Sequence, residues 1–192
     1  MSEAAGETVL ELKGLAGWRG GRLLFEGVDL RLAPGEAAIV TGPNGVGKSS
    51  LLRIAAGLLA PGAGSVDRAD CALADENLAL EPRRTLAAAL GFWARLDGAA
   101  IAPALEAMGL AHLAEVPVRM LSTGQRKRAA LARVIAADVP LWLLDEPANG
   151  LDAEGQERLA AAMAAHRAGG GAILAATHQP LGLDDATQVR LA

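Results

Sequence analysis

Gly42-Pro43-Asn44-Gly45-Val46-Gly47-Lys48-Ser49 has a short apolar run before it and an apolar-striped segment after it. Three glycines in eight residues let the backbone curl until successive N–H groups converge, and converging N–H groups bind phosphate oxygens. Lys48 adds a charge that reaches β- and γ-phosphates, and Ser49 a hydroxyl able to ligate Mg²⁺. Ser50 belongs to the same binding turn, because the helix that starts here aims its positive end at the same anion. A chance glycine-rich turn would lack the strand before it and the helix after it. The eight residues therefore read as a nucleotide-phosphate site.

Carboxylates come second. Asp145-Glu146 closes the apolar run Leu141-Trp142-Leu143-Leu144. A carboxylate at the end of a buried parallel strand lies beside such a loop, where Asp145 can hold Mg²⁺ directly or through water. Glu146 can polarise a water in line with the γ-phosphate. Two solvated carboxylates at a strand end are the plain alternative, and the glycine loop upstream argues against it. His178, after the apolar strand Ala172–Ala176, either touches the γ-phosphate, orients the attacking water or is merely structural. Trp18, among glycines ahead of the loop, either stacks on an adenine face or packs in the core. Trp93 and Trp142 read as core.

Leu121-Ser122-Thr123-Gly124-Gln125 precedes a helix carrying Arg126, Lys127, Arg128 and Arg133. Ser122 sits where a helix cap would sit. Gly124 and Gln125 are odd choices for capping alone, since Gly costs about 1 kcal/mol against Ala inside a helix. A backbone that approaches a phosphate closely has a use for that Gly, so Ser122, Gly124 and Gln125 read as a second anion-binding helix start. The basic run reads as a solvated helix face. Asp152, after Gly150-Leu151, is placed for a contact with a partner subunit.

The elements that must position these groups alternate. Residues 8–33 read as short strands in a hairpin-like arrangement, residues 37–40 as a buried strand feeding the glycine loop, and residues 49–59 as a helix ended by Pro61-Gly62-Ala63-Gly64. Residues 83–138 read as a helical insert, with helices at 101–108 and 125–137. Strands at 141–144, 172–175 and 188–191 enclose a helix at 154–168. This is the pattern of an α/β chain built on a mostly parallel sheet, with an antiparallel N-terminal part. At 192 residues it reads as a single domain, its core about 1–82 and 139–192 and its helical subdomain about 83–138.

Composition narrows the partners. A net charge of −4 gives no basic signal for nucleic acid. The one cysteine, Cys71, excludes an internal disulfide and agrees with a reducing compartment. No apolar stretch reaches the roughly 20 residues of a membrane-spanning helix, and the acidic N-terminus lacks the apolar core of a signal peptide.

The order of glycine loop, helical insert, Leu-Ser-Thr-Gly-Gln, Asp-Glu-Pro, Gly-Leu-Asp and His resembles the ATP-binding cassette ATPases, from about Trp18 to His178. The resemblance implies a P-loop fold, ATP and Mg²⁺ as ligands, and ATP hydrolysis. It also implies that two copies face head to tail, with Ser122 and Gly124 of each signature loop closing on nucleotide held by the other copy. It assigns Asp145 to the magnesium-holding strand, Asp152 to the loop between copies and His178 to the switch loop. Leu121–Arg128, Leu144–Asp152 and Thr177–Leu181 are similar to the branch of that family that serves c-type cytochrome maturation. That branch implies an integral membrane partner, docked through the helical insert, and a peripheral position on the cytoplasmic face of the inner membrane.

The chain departs from the family at Ala74-Asp75-Glu76-Asn77-Leu78, where a glutamine is usual and Glu76 or Asn77 stands in its place. Another small exporter's ATPase subunit is an alternative function, and so is a weakly hydrolysing regulatory module. Cassette ATPases of translation or DNA repair carry two cassettes or a long coiled coil, for which 192 residues leave no room.

Overall fold

The computed structural model describes residues 7–75, 80–97 and 100–192. Two long strands open the chain, β1 (Leu10–Arg19) and β2 (Arg22–Leu32). They pair antiparallel through Gly20-Gly21, whose φ values of 56° and 79° are the left-handed pair that a two-residue hairpin turn requires. Their register slips at several points, and β4 (Ala63–Arg68) completes a three-stranded sheet along the other side of β1.

The second sheet runs in the order β5 (Cys71–Ala74), β6 (Leu141–Asp145), β7 (Ala172–Ala176), β3 (Ala37–Thr41), β8 (Thr187–Arg190). Its β6–β7, β7–β3 and β3–β8 pairs are parallel. Both β6 and β7 are buried at every residue, which is why their sequences are unbroken apolar runs rather than alternating ones. Helix α1 (Lys48–Ala55) packs over β6 and β7 with Leu51 and Leu52 fully buried, each contributing about 2 kcal/mol by area.

Three further helices follow: α2 (Leu86–Asp97), α3 (Ala102–Ala107) and α4 (Thr123–Ala136). Helix α4 packs on both α2 and α3, and the guanidinium of Arg133 lies 5.1 Å over the Trp93 ring. Helix α5 (Ala153–Ala168) precedes β7. Trp142 is core, as its sequence context suggests, stacked at 4.0 Å on His166. Trp93 is only half-buried.

The chain divides into two compact units. One comprises Met1–Leu73, Val139–Glu146 and Ala165–Ala192, and the other Ala74–Asp138 and Pro147–Ala164. The second is wider than the helical stretch 83–138, since it takes in 74–82 and 147–164.

Two local expectations change. The helix expected over 49–59 stops at Ala55, because Gly57 turns the chain at φ 76°, so Leu58 is exposed rather than part of the apolar stripe. Strands β4 and β5 also occupy residues for which the apolar pattern signals no strand. Among the described residues no helix is long and apolar enough to cross a membrane.

Candidate active site

The glycine loop lies in the first unit, between β3 and α1. Gly42, Gly45 and Gly47 have φ values of 146°, 82° and 117°, which a residue with a Cβ adopts only under strain. At Gly42 and Gly47 space forbids a side chain as well. A Cβ on Gly42 would lie 2.6 Å from the Leu191 carbonyl oxygen, and one on Gly47 would lie 2.9 Å from Phe25 Cδ1. Val46 N–H donates back to the Pro43 carbonyl at 3.3 Å and closes the turn. The N–H groups of Asn44, Gly45, Gly47, Lys48 and Ser49 have no partner among the described residues. Lys48 is buried, and its Nζ donates to the carbonyls of Gly42 at 2.8 Å and Pro43 at 3.2 Å. An ammonium has three N–H donors, so one has no partner among the described residues. Open amides beside a buried, partly satisfied cation form an anion cradle.

Strand register sets the carboxylates beside it. Asp145 stands opposite Ala176, Ala176 opposite Val40, and Val40 opposite Val189. Four parallel strands therefore reach their carboxyl ends in one row, with Asp145 two strand spacings, ~10 Å, from Val40. Asp145 is buried. Glu146 N–H continues the ladder to the Ala176 carbonyl at 2.8 Å, and Thr177 N–H to that of Val40 at 3.3 Å.

Glu146 then turns left-handed at φ 45°, a conformation that costs a non-glycine residue about 1–2 kcal/mol. The turn brings its Oε1 to 3.1 Å from His178 Nδ1. The same nitrogen is 3.0 Å from Oε2, but without hydrogen-bond geometry, and Oε2 is buried with no partner among the described residues. Glu146 is largely buried whereas His178 is 61% exposed. With Glu146 ionised, Nδ1 must carry the proton it donates, which fixes the imidazole tautomer.

Trp18 is 55% exposed on β1, so core packing does not explain it. Phe25 is a residue that sequence patterning passes over. Its buried ring lies against Gly17 beside Trp18, and also against Gly47 beside Lys48. Nothing in the residue types signals this, because the contact depends on two glycines that leave room for one ring.

In the second unit, Ser122 caps α4. Its Oγ accepts from Gln125 N–H at 3.2 Å, and the Gln125 side-chain oxygen accepts from Ser122 N–H at 2.8 Å. This is a reciprocal capping box. The expectation that Gln125 is a poor choice for capping is therefore corrected. Its side chain is committed to the cap because an amide at the third helical position spans back to the first open N–H. The N–H groups of Thr123 and Gly124 stay open among the described residues, and a Cβ on Gly124 would lie 3.3 Å from the Gly150 carbonyl oxygen. Asp152 is exposed, and its Oδ1 accepts from Gly155 N–H at 2.9 Å, capping α5. Glu76 and Asn77 lie outside the described residues.

A magnesium ion fits the donors present. Among the described residues no three His, Cys, Asp or Glu side chains cluster as a metal cage. By donor type, the carboxylate of Asp145 and the hydroxyl of Ser49 suit an ion that draws its other ligands from phosphate and water. Mg²⁺ is the ion usually held that way.

The model of the ABC transporter family matches residues 25–149. The cytochrome c biogenesis ATP-binding export protein CcmA of Sphingopyxis alaskensis is 55% identical over 181 residues, 92% of this chain and 93% of that one. CcmA of Novosphingobium aromaticivorans is 56% identical over 167 residues, 86% of each chain. A solved structure, the ATP binding subunit of an ABC transporter, superposes with a TM-score of 0.87 at 25% identity, covering 96% of this chain and 86% of that chain. Relatives matched across nearly their whole length, and sharing the fold that carries the phosphate loop, leave one assignment: the chain belongs to the ABC transporter family as an ATPase, within the CcmA group.

Proposed function

We propose that the chain is the ATP-hydrolysing subunit of a membrane complex for c-type cytochrome biogenesis, driving haem export or the release of a haem-loaded chaperone. The names of its relatives support the pathway. The observation that carries the chemistry is the largely buried Glu146 carboxylate, both oxygens within 3.1 Å of His178 Nδ1, in the row of strand ends from which the phosphate loop departs.

In this reading Trp18 stacks on the adenine, while the open amides of Asn44, Gly45, Gly47, Lys48 and Ser49 and the Lys48 ammonium hold the phosphates, with Val46 closing the turn. Ser49 and Asp145 hold Mg²⁺, with Ser50 in the same turn. Magnesium, when bound, offsets the charge that grows on the β- and γ-phosphate oxygens. Glu146 accepts a hydrogen bond from the attacking water and takes its proton as the γ-phosphorus–oxygen bond to ADP breaks. His178 keeps the carboxylate aimed.

The whole of 1–192 works as one ATPase domain, its helical part at about 83–138 carrying the membrane contact. Exposed Phe92 and Met120 support that contact, made with an integral membrane subunit of the CcmB type. The chain itself is peripheral, on the cytoplasmic face of the inner membrane, with no nucleic-acid role. Two copies form a head-to-tail homodimer in which Ser122, Gly124 and Gln125 of one copy close on ATP held by residues 42–50 of the other, with Asp152 near the contact. The open Thr123 and Gly124 amides support this closure.

Glu146→Gln tests the reading. It should bind ATP, accumulate as a nucleotide-bound dimer on size-exclusion chromatography, and lose about 10²- to 10⁴-fold in turnover. A variant that stays monomeric with ATP and keeps its turnover would remove Glu146 from the role of base.

A further inference from the structure

Trp18 stands on β1 with more than half of its surface in solvent, opposite Leu23 in the hairpin register. What lies beneath it is backbone. The ring sits where a side chain of residue 62 would be, since a Cβ on Gly62 would come within 2.1 Å of Trp18 Cδ1 and 2.7 Å of Nε1. Gly62 is itself tied to the same strand, its N–H donating to the Ala16 carbonyl at 2.8 Å. Its φ lies outside the left-handed region, and an added Cβ would meet the Ala16 carbonyl oxygen only at 3.4 Å, an ordinary contact, so the effect of an alanine there falls chiefly on the indole. Moving an exposed ring costs the fold little. It would, however, displace the flat face that a purine base needs.

We infer that Gly62 is a positioning residue for the nucleotide base: the bare backbone at 62 is the seat that holds the Trp18 ring ready to stack. This rests on the reading of Trp18 as the adenine-side aromatic. A base–aromatic stack is sensitive to ring tilt and offset, so a seat of backbone atoms, which cannot change rotamer, fixes the platform before nucleotide arrives.

The test uses the full chain and two ligands, ATP and inorganic tripolyphosphate, titrated by displacement of a fluorescent nucleotide. Gly62→Ala should weaken ATP roughly 5- to 10-fold, the scale of losing part of one stack, and leave tripolyphosphate unchanged. It should raise KM for ATP with kcat held. In a Trp18→Ala background, which itself weakens ATP, Gly62→Ala should have no further effect.

If Trp18→Ala weakens ATP but Gly62→Ala does not, the seat is wrong and the adenine reading stands. If Trp18→Ala leaves ATP binding intact, the adenine reading falls and takes this inference with it. An equal loss for tripolyphosphate, or an undiminished loss in the Trp18→Ala background, would mean that Gly62 acts on the fold or the phosphate loop, and would overturn the inference.

Discussion

Lys48 shows what the chain prepares before ligand arrives. Its ammonium is buried against the Gly42 and Pro43 carbonyls, with one donor unpartnered among the described residues, so the charge is held along its own loop. Lys48→Ala removes that charge from the phosphates. ATP affinity measured by titration should drop about 10- to 100-fold, the size of one charge-assisted hydrogen bond, and unchanged affinity would contradict the loop assignment. This part of the site was legible in the sequence because its chemistry is local, eight consecutive residues with a strand before and a helix after. Glu146 and His178 were legible as residue types but not as a pair, since 32 positions separate them and only the strand register brings them together. The packing of Phe25 and the contact of Gly62 with Trp18 were not legible. Their roles come from close approach of ring to backbone, which no residue pattern records.

At the level of elements, helix starts carry much of the local order. Helix α4 begins with a capping box in which Gln125 reaches back to Ser122, and α5 begins with the Asp152 cap. Gln125→Ala should therefore lower stability by about 0.5–1 kcal/mol in urea unfolding, while Gln125→Glu, which keeps an acceptor at the same reach, should hold it. Equal losses for both would show that the cap contributes nothing. The capping residues Ser122 and Asp152 are ones that the family resemblance assigns to a contact with a second copy, and a side chain already bonded to its own helix would be held in place for it.

Elements were read best where burial is continuous. The unbroken apolar runs of β6 and β7 gave those strands within a residue, because a strand covered on both faces has no polar alternation to confuse with loop. The exposed residues of β4 gave no such signal, and its pairing with β1 is supplied by the rest of the sheet.

Across the chain, long-range clamps join segments far apart in sequence. Arg167 donates Nε–H to the Gly35 carbonyl at 2.8 Å and both terminal nitrogens to the Asp185 carboxylate. The guanidinium hydrogen bond holds the Asp185 carboxyl below its ordinary pKa. A carboxylate lowered in the folded state stabilises fully above its unfolded pKa, and that contribution is lost as pH falls through the lowered value. Thermal unfolding should therefore show Asp185→Asn below the parent protein at pH 7, with the gap closing as pH falls through the lowered carboxyl value. A gap that persists in acid would mean that the side chain acts through something other than its charge.

The Phe25 ring has a wider consequence. Wedged between the strand that bears Trp18 and the turn that bears Lys48, it joins those two segments like a shared bearing. On the proposed reading, in which those segments hold the purine and the triphosphate, a tug at one end would reach the other through a single ring.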